Sequence, residues 1–550
     1  MKMRMLPAIG VTALMFLSNA AIAPRAERVG ATAQHAMVAT AQHDATQVGV
    51  NILRAGGNAV DAAVAVGYAL AVTDPCCGNV GGGGFMLIRL HDGRERFIDF
   101  RERAPLRATP TMYLDARGNV VPNASLRGWL AVAVPGTVAG LETARRHFGT
   151  MSRDRLMAPA IALARDGFVL TNGDELLPDG KTPPPRTRFS QPQLARTLGL
   201  IAKNGPGAFY RGPIARAIVA ASRANGGVLS MDDFSRYRVE ETSPLHCSFD
   251  GYQIIAAPPP SSGGVTLCEI LNIIAPYPLA RWAWHDAPSI HYVTEAERLA
   301  YADRNAYLGD PDFVHDPVAQ LIAPEYAATL RAKIQSQRAT PSAQVHPGLS
   351  AAASEGGDTT HYSIVDRWGN AVAVTYTLND SFGADVEAGD TGFFLNDEMD
   401  DFTSKPGVPN LYGLVQGVQN AIAPGKRPLS SMAPTIVTRD GKLRMVTGSP
   451  GGSRIITIVL ETLLNALIYG MDAQGAVDAP RTHMQWLPDL LQYEPGALSG
   501  ATSQQLAQMG YALRQIQSWG SAQAIVVDPK TGALEGGSDR RTPAGSAQGY

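Results

Sequence analysis

The stretch Asn58 to Asp74 constrains the fold most. Between Ala59 and Val72 it reads AVDAAVAVGYALAV, apolar on nearly every helical face. A helix of that kind has no polar side to turn to water and has to be buried. Asn58 is placed to cap it, and Asp61 sits in its first turn, where the helix dipole favours a carboxylate. Asp74-Pro75 ends it. The run Gly81 to Gly84 then leads into a strand from Phe85 to Leu90. His91-Asp92-Gly93 turns the chain, and a return strand from Phe97 to Phe100 delivers Arg101. Upstream, Thr46 to Ala55 reads as a helix stopped by Gly56-Gly57. Burying such elements takes a sizeable core, and a chain of 550 residues with 45% apolar side chains has one.

Later the periodicity changes. His361 to Asp366 and Ala371 to Leu378 read as strands around Arg367-Trp368-Gly369, with glycine where the hairpin needs a left-handed residue. A three-residue loop closing on Asp366 and Asn370 carries the register back until Thr359 stands opposite Thr377. A slip of one residue would set Thr359 against Leu378 instead. Threonine pairs across a ladder are ordinary sheet stabilisers, so pairing alone implies no chemistry. Just upstream, His346 to Asp358 has no long apolar side chain except Leu349 and reads as an exposed loop. Near the end, Gly451-Gly452-Ser453 precedes an amphipathic helix running to Tyr469 and stopped by Gly470. Glycine N–H groups ahead of a helix can face an anion unobstructed. There is no internal repeat, and a mixed α/β or α+β architecture follows.

Several classes are excluded. With 47 basic and 49 acidic residues the net charge is -2, and no long basic run argues for nucleic acid. GSPGGS lacks the G-x-S-x-G elbow of serine hydrolases. HExxH is absent, His35 and His43 lack zinc-ligand spacing, and Pro424-Gly425-Lys426-Arg427 lacks the frame of a phosphate loop. Neither metal nor cofactor is expected. Of the four cysteines, Cys76 and Cys77 are adjacent, without zinc or CxxC spacing; Cys247 and Cys268 fit a disulfide or two buried thiols equally. The N-terminus reads as a secretory signal: Lys2 and Arg4, an apolar run from Leu6 to Leu17, then small residues. Cleavage after Ala20 is favoured; cleavage after Ala23 fits Ala-x-Ala but leaves Pro24 next. The run is short of the ~20 residues that span a bilayer. The expected mature protein is exported, periplasmic or secreted, with no stable membrane span.

Eleven segments in order resemble the bacterial gamma-glutamyltransferases: GGNAVDAAVAVGYALAVTDP, GNVGGGGFMLIR, IDFRERAP, PPPSSGG, YADRNAYLGDPDFV, TTHYSIVD, GNAVAVTYTLN, LNDEMDDF, KPGVPNLYGLV, KRPLSSMAPTIV and VTGSPGGSRIIT. They run from about residue 37 to the C-terminus. The resemblance implies an α+β fold, the four-layer αββα sandwich of the N-terminal-nucleophile hydrolases. Two subunits, residues 21–358 and 359–550, would form it jointly after Thr359 cuts the Asp358–Thr359 bond. That cut frees an α-amine on Thr359, and an α-amine with a pKa of about 7.7–8.0 can take the proton of its own hydroxyl. Thr377 would orient the nucleophile. Gly451 and Gly452 would form the oxyanion hole.

By the same resemblance Arg101, with Ser430 and Ser431, holds the α-carboxylate of a γ-glutamyl group. Asp401 and Glu398 take its α-ammonium, with Asn379 as a neutral partner; the family has Gln or Glu at the position of Glu398. Pro406 to Val415 resembles a lid, with Tyr412 as gate over Asn379. Glutathione and other γ-glutamyl compounds are the implied donors; water, amino acids or peptides accept. Two alternatives differ from this reading. One is a cephalosporin- or glutaryl-type acylase on the same fold, which Asp401 and Glu398 oppose. The other is a non-processing periplasmic binding protein, which intact Thr359, Thr377, Gly451 and Gly452 oppose.

Overall fold

The computed structural model describes residues 30–346 and 359–550. The signal segment and the loop leading to Asp358 lie outside them, apart from an exposed His346.

Two seven-stranded sheets form the centre. One is ordered Ser546–Gly549, Met37–Thr40, Thr360–Val365, Ala371–Thr377, Gly83–Arg89, Glu95–Phe100 and Glu240–Thr242. The other is ordered Ala31–Ala33, Leu534–Ser538, Gln523–Val527, Lys442–Gly448, Thr435–Arg439, Tyr252–Ala256 and Leu245–Phe249. Every pairing within them is antiparallel. Both sheets therefore take strands from before and after Thr359, and cutting the chain there would leave the two pieces interleaved.

Alternation along the strands separates the layers. Val372, Val374 and Tyr376 belong to a core built with the helices His43–Arg54, Ala59–Thr73 and Thr137–Phe148. Ala371 and Ala373 point the other way, into a core shared with Met445, Val446 and Ile525 of the second sheet. That core continues to the helices Gly263–Ile274 and Ile455–Leu467. The result is helix, sheet, sheet, helix, the αββα sandwich that the resemblance implied. The sheets approach closely at Gly448, where a Cβ would lie 2.3 Å from the His361 ring. Ser363 Oγ donates across the gap to the Gln523 carbonyl at 3.3 Å.

The helix Ala59–Thr73 is buried along its whole length and opens on a reciprocal capping box between Asn58 and Asp61. Its carbonyls at Ala63 and Gly67 accept the hydroxyls of Tyr362 and Tyr376 at 3.0 Å each, fastening helix to sheet. The preceding helix begins at His43, three residues earlier than Thr46, because the Gln42 side chain caps the N–H groups of Asp44 and Ala45. The late helix Ile455–Leu467 is shorter at both ends than the sequence pattern suggested. Gly452–Arg454 forms a 3₁₀ turn first, and the Ile468 and Tyr469 N–H groups both return to the Leu464 carbonyl ahead of left-handed Gly470. Both cysteine pairs are disulfides, Cys76–Cys77 and Cys247–Cys268, which settles the open choice for the second. Among the described residues no helix is long and apolar enough to cross a membrane.

Candidate active site

The hairpin has the register read from its loop. Thr360 pairs with Tyr376 and Val365 with Ala371. Continuing that ladder sets Thr359 opposite Thr377, and their Oγ1 atoms lie 3.2 Å apart. Thr377 itself pairs with Gly83, at the end of the glycine run. Alternation puts Thr359, His361 and Ser363 on the face toward the second sheet. Thr360 faces the opposite side, where its hydroxyl donates to Asp74 at 2.9 Å. Thr359 is 5% exposed. Among the described residues the one side chain hydrogen-bonded to it is Thr377. The nearby imidazole of His361 bonds Thr375 at 2.8 Å and Ser363 at 3.1 Å, and burial pushes its pKa down to about 3. It is a neutral filler of the sheet interface.

Thr359 and Thr377 border a cavity of about 20 Å3. Its lining also includes Arg101, Asn379, Glu398, Asp401, Tyr412, Ser430, Ser431 and Gly452. Ten of the eleven residues singled out from the sequence therefore meet at one place, and the eleventh, Gly451, adjoins Gly452. Gly451 and Gly452 have φ of 138° and 54°, backbone that side-chain-bearing residues rarely adopt. At Gly452 a Cβ would also strike the Tyr412 ring at 2.2 Å.

Arg101 leaves its strand at the edge of the cavity and is almost wholly buried. Its guanidinium is not idle: Nη1 pairs with Glu398, Nη2 with Asp401, and Nη1 lies 3.5 Å from Glu102. Burial raises Glu398 well above the carboxylate range, against the pull of Arg101. Burial likewise lifts Asp401, and it lifts Glu102 to about 7. The three carboxyls crowd one cation, and they stay together by sharing protons. Behind them Arg427 binds Asp99 and Asp310, each at 2.6 Å, and Asp312 at 2.7 Å; Asp99 in turn accepts the Arg101 N–H at 2.8 Å. The Pro-Gly-Lys-Arg segment thus serves as a buried ionic anchor.

Asn379 follows Thr377 in left-handed backbone, φ 85°, and its N–H donates to Thr377 Oγ1 at 2.8 Å. Its amide is engaged on both sides. Nδ2 donates to the Asp397 carboxylate at 3.1 Å, and Oδ1 accepts the Tyr412 hydroxyl, which also reaches the Asn379 carbonyl at 2.9 Å. The segment around Tyr412 is pinned from both ends. Asp400 accepts the Leu411 N–H at 2.8 Å, and the Tyr412 carbonyl accepts Gln485 Nε2 at 3.2 Å.

Ser430 and Ser431 come from an irregular segment bridged to Ser261. Ser431 Oγ accepts Arg304 Nη2 at 2.9 Å. Glu102, Arg304 and the Asp397 platform were not singled out from the sequence. Arg304 lies in YADRNAYLGDPDFV and Glu102 in IDFRERAP, so the signal was a charged residue inside a matched segment. Among the described residues one group could hold a metal, Asp74 with Cys76 and Cys77, and its two sulfurs are bonded to each other.

Residues 45–549 match the sequence profile of a family described as Gamma-glutamyltranspeptidase. The chain is 52% identical over 546 residues to the glutathione hydrolase proenzyme of Pseudomonas sp. (strain A14), covering 94% of this chain and 95% of that protein. Over 538 residues it is 47% identical to the glutathione hydrolase proenzyme of Escherichia coli (strain K12), covering 94% and 92%. Among solved structures, a cephalosporin acylase from Bacillus halodurans superposes with a TM-score of 0.83 at 27% identity, covering 97% of this chain and 99% of that one.

Proposed function

The chain belongs to the gamma-glutamyltranspeptidase family, and from that premise we infer how its own residues carry the reaction. It is a proenzyme that becomes a γ-glutamyltransferase and glutathione hydrolase of the N-terminal-nucleophile class.

Thr359 is the nucleophile in both maturation and turnover. In maturation its Oγ1 attacks the Asp358 carbonyl, the peptide shifts to an ester, and water releases residues 21–358 from residues 359–550. Interleaved strands in both sheets support a stable heterodimer after the cut. The new α-amine then acts as base. The observation that carries this reading is what surrounds Thr359: a neutral hydroxyl partner at 3.2 Å and no titratable side chain in hydrogen-bond contact among the described residues. A hydroxyl so placed needs a proton acceptor from elsewhere, and its own α-nitrogen is always within reach.

In turnover the amine takes the Oγ1 proton while Oγ1 adds to the γ-carbonyl carbon. Negative charge collects on the carbonyl oxygen, toward the N–H groups of Gly451 and Gly452. Collapse expels the amine of the leaving peptide, which takes the proton back from the ammonium. Water, an amino acid or a peptide then attacks the γ-glutamyl ester of Thr359 by the reverse sequence. Thr377 holds the hydroxyl in line.

Arg101, Ser430 and Ser431 take the α-carboxylate, and Glu398 and Asp401 the α-ammonium. An α-amino acid carries one charge of each sign, so it can replace the internal pairs Arg101–Glu398 and Arg101–Asp401 with equivalent ones. Asn379 acts chiefly by fixing Tyr412. A cavity of about 20 Å3 holds little more than one water, so a donor enters only when Tyr412 swings off Gly452. The signal reading of residues 1–20 supports export to the periplasm or medium.

The test is a rate comparison on γ-glutamyl and glutaryl anilides, which differ by the α-amine. The γ-glutamyl compound should be the better donor by at least about a hundredfold, the cost of leaving a buried charge without its partner. Equal rates would favour an acylase.

A further inference from the structure

Six arginines are buried among the described residues, and four of them are neutralised directly; Arg89, 8% exposed, gives Nη2 to the Gly441 carbonyl. Arg101 meets Glu398 and Asp401, Arg298 meets Glu295 and Asp489, Arg427 meets Asp99 and Asp310, and Arg481 meets Asp539. Arg304 also meets no carboxylate and is buried more deeply than Arg89. It is 1% exposed, and its donors all go to neutral oxygens. Nε reaches Ser262 Oγ at 2.9 Å, Nη1 reaches Asn305 Oδ1 at 2.8 Å and Gln416 Oε1 at 3.5 Å, and Nη2 reaches Ser431 Oγ at 2.9 Å. Burial lowers its pKa to about 10, against the opposing pull of Tyr301 and of the Asp401 carboxylate at longer range, which leaves it charged at neutral pH. A buried charge with no countercharge in contact is costly and calls for an account.

A guanidinium donates and never accepts. Ser431 Oγ therefore accepts from Arg304, and the Ser431 proton has to point elsewhere; Ser431 lines the cavity. Ser262 Oγ also accepts from Arg304, so its proton goes to the Ser430 carbonyl, 2.6 Å away. The Ser262 N–H binds the same carbonyl at 2.8 Å. Ser430 Oγ accepts the Met432 N–H at 3.1 Å, which frees its proton as well. One cation thus fixes the direction of Ser431 and, through Ser262, the place of Ser430.

We propose that Arg304 is a positioning and specificity residue for the acyl donor: it holds Ser431 as a hydrogen-bond donor toward the cavity and leaves there a positive charge that the α-carboxylate of the donor balances. This rests on the reading of the cavity as the γ-glutamyl site. Arg304 touches no reacting atom and works through Ser431 and Ser262.

The experiment compares mature wild-type enzyme with Arg304→Gln and Arg304→Lys on two anilides, γ-glutamyl and 4-aminobutyryl, the second lacking the α-carboxylate. Glutamine can accept as well as donate, so Arg304→Gln is expected to raise KM for the γ-glutamyl donor about tenfold to a hundredfold. kcat should stay within about threefold, and kcat/KM on 4-aminobutyryl anilide should hardly change. Arg304→Lys keeps the charge without the fork and should fall between. In a Ser431→Ala background the Arg304→Gln change should raise KM by several-fold less than it does alone, because the part carried through Ser431 is already lost and the charge remains. An unchanged KM, an equal loss on both donors, or full additivity with Ser431→Ala would overturn the proposal. Should Arg304→Gln fail to mature, an Arg304→Lys enzyme with wild-type KM and wild-type donor preference overturns it equally. Absence of γ-glutamyl turnover in the wild type would instead sink the reading of the site.

Discussion

Two regions of different construction meet in the cavity. The strand pair bearing Thr359 and Thr377 is local, since the two residues are 18 apart and adjoin one hairpin. It is also nearly free of charge, with His361 neutral beside it. The region around Arg101 is the opposite. Its partners Glu398 and Asp401 lie 297 and 300 residues away in sequence, at the two ends of one 3₁₀ turn. Four ionisable groups crowd into it. On the proposed reading the labour divides along the same line: chemistry sits where a ladder fixes the backbone and, among the described residues, no titratable side chain is hydrogen-bonded to the nucleophile. Recognition sits where charge is concentrated and can be exchanged for that of a ligand.

The sharpest way to break this division is Thr359→Ala. If one hydroxyl serves both maturation and turnover, the variant stays a single uncut chain and shows no γ-glutamyl transfer on a denaturing gel and anilide assay. Normal cutting would remove Thr359 from the chemistry. On the other side, Asp401→Ala should leave maturation intact and raise donor KM by roughly 30- to 1,000-fold, the range for unpairing a buried charge. Unchanged kinetics would take Asp401 out of the donor site.

A gentler probe sits between the regions. Tyr412→Phe keeps the ring over Gly452 but loses the hydroxyl bonds to Asn379, worth about 1 kcal/mol. A looser gate should follow, seen as a several-fold fall in the ratio of transfer to hydrolysis. Smallest is the effect of Glu102. Its pKa of about 7 means that it is protonated below that pH and negative above it. Negative charge favours the donor's ammonium, so donor KM should fall as pH rises from 6 to 8. Glu102→Gln should mimic the protonated form, flattening that slope by about two- to fivefold at pH 8. A slope unaltered by the substitution would separate Glu102 from the site.

The same contrast explains what was legible in the sequence. The 359–377 pairing was readable because a hairpin loop fixes its register and the strand period of two propagates it. The buried helix from Ala59 was readable because composition leaves it no exposed face. The donor pocket was not readable from local pattern. Nothing in the spacing of Arg101, Glu398, Asp401 and Ser431 says that they meet, and only the resemblance grouped them. Arg304 stayed hidden for a related reason: a single arginine in a helix is ordinarily a surface residue, and its lack of a carboxylate partner is a property of three-dimensional packing. The pairing of Arg101 with Glu398 and Asp401 is likewise a property of packing, since residue roles toward a substrate say nothing of how the side chains satisfy one another.

In the proposed mechanism the base is an amine created by self-cleavage. N-terminal sequencing and intact-mass analysis of the active, purified protein test it directly. The expected result is a polypeptide that begins Thr359-Thr360-His361-Tyr362 in amounts equal to the larger fragment. A fully active preparation in which residue 358 remains joined to Thr359 would contradict it.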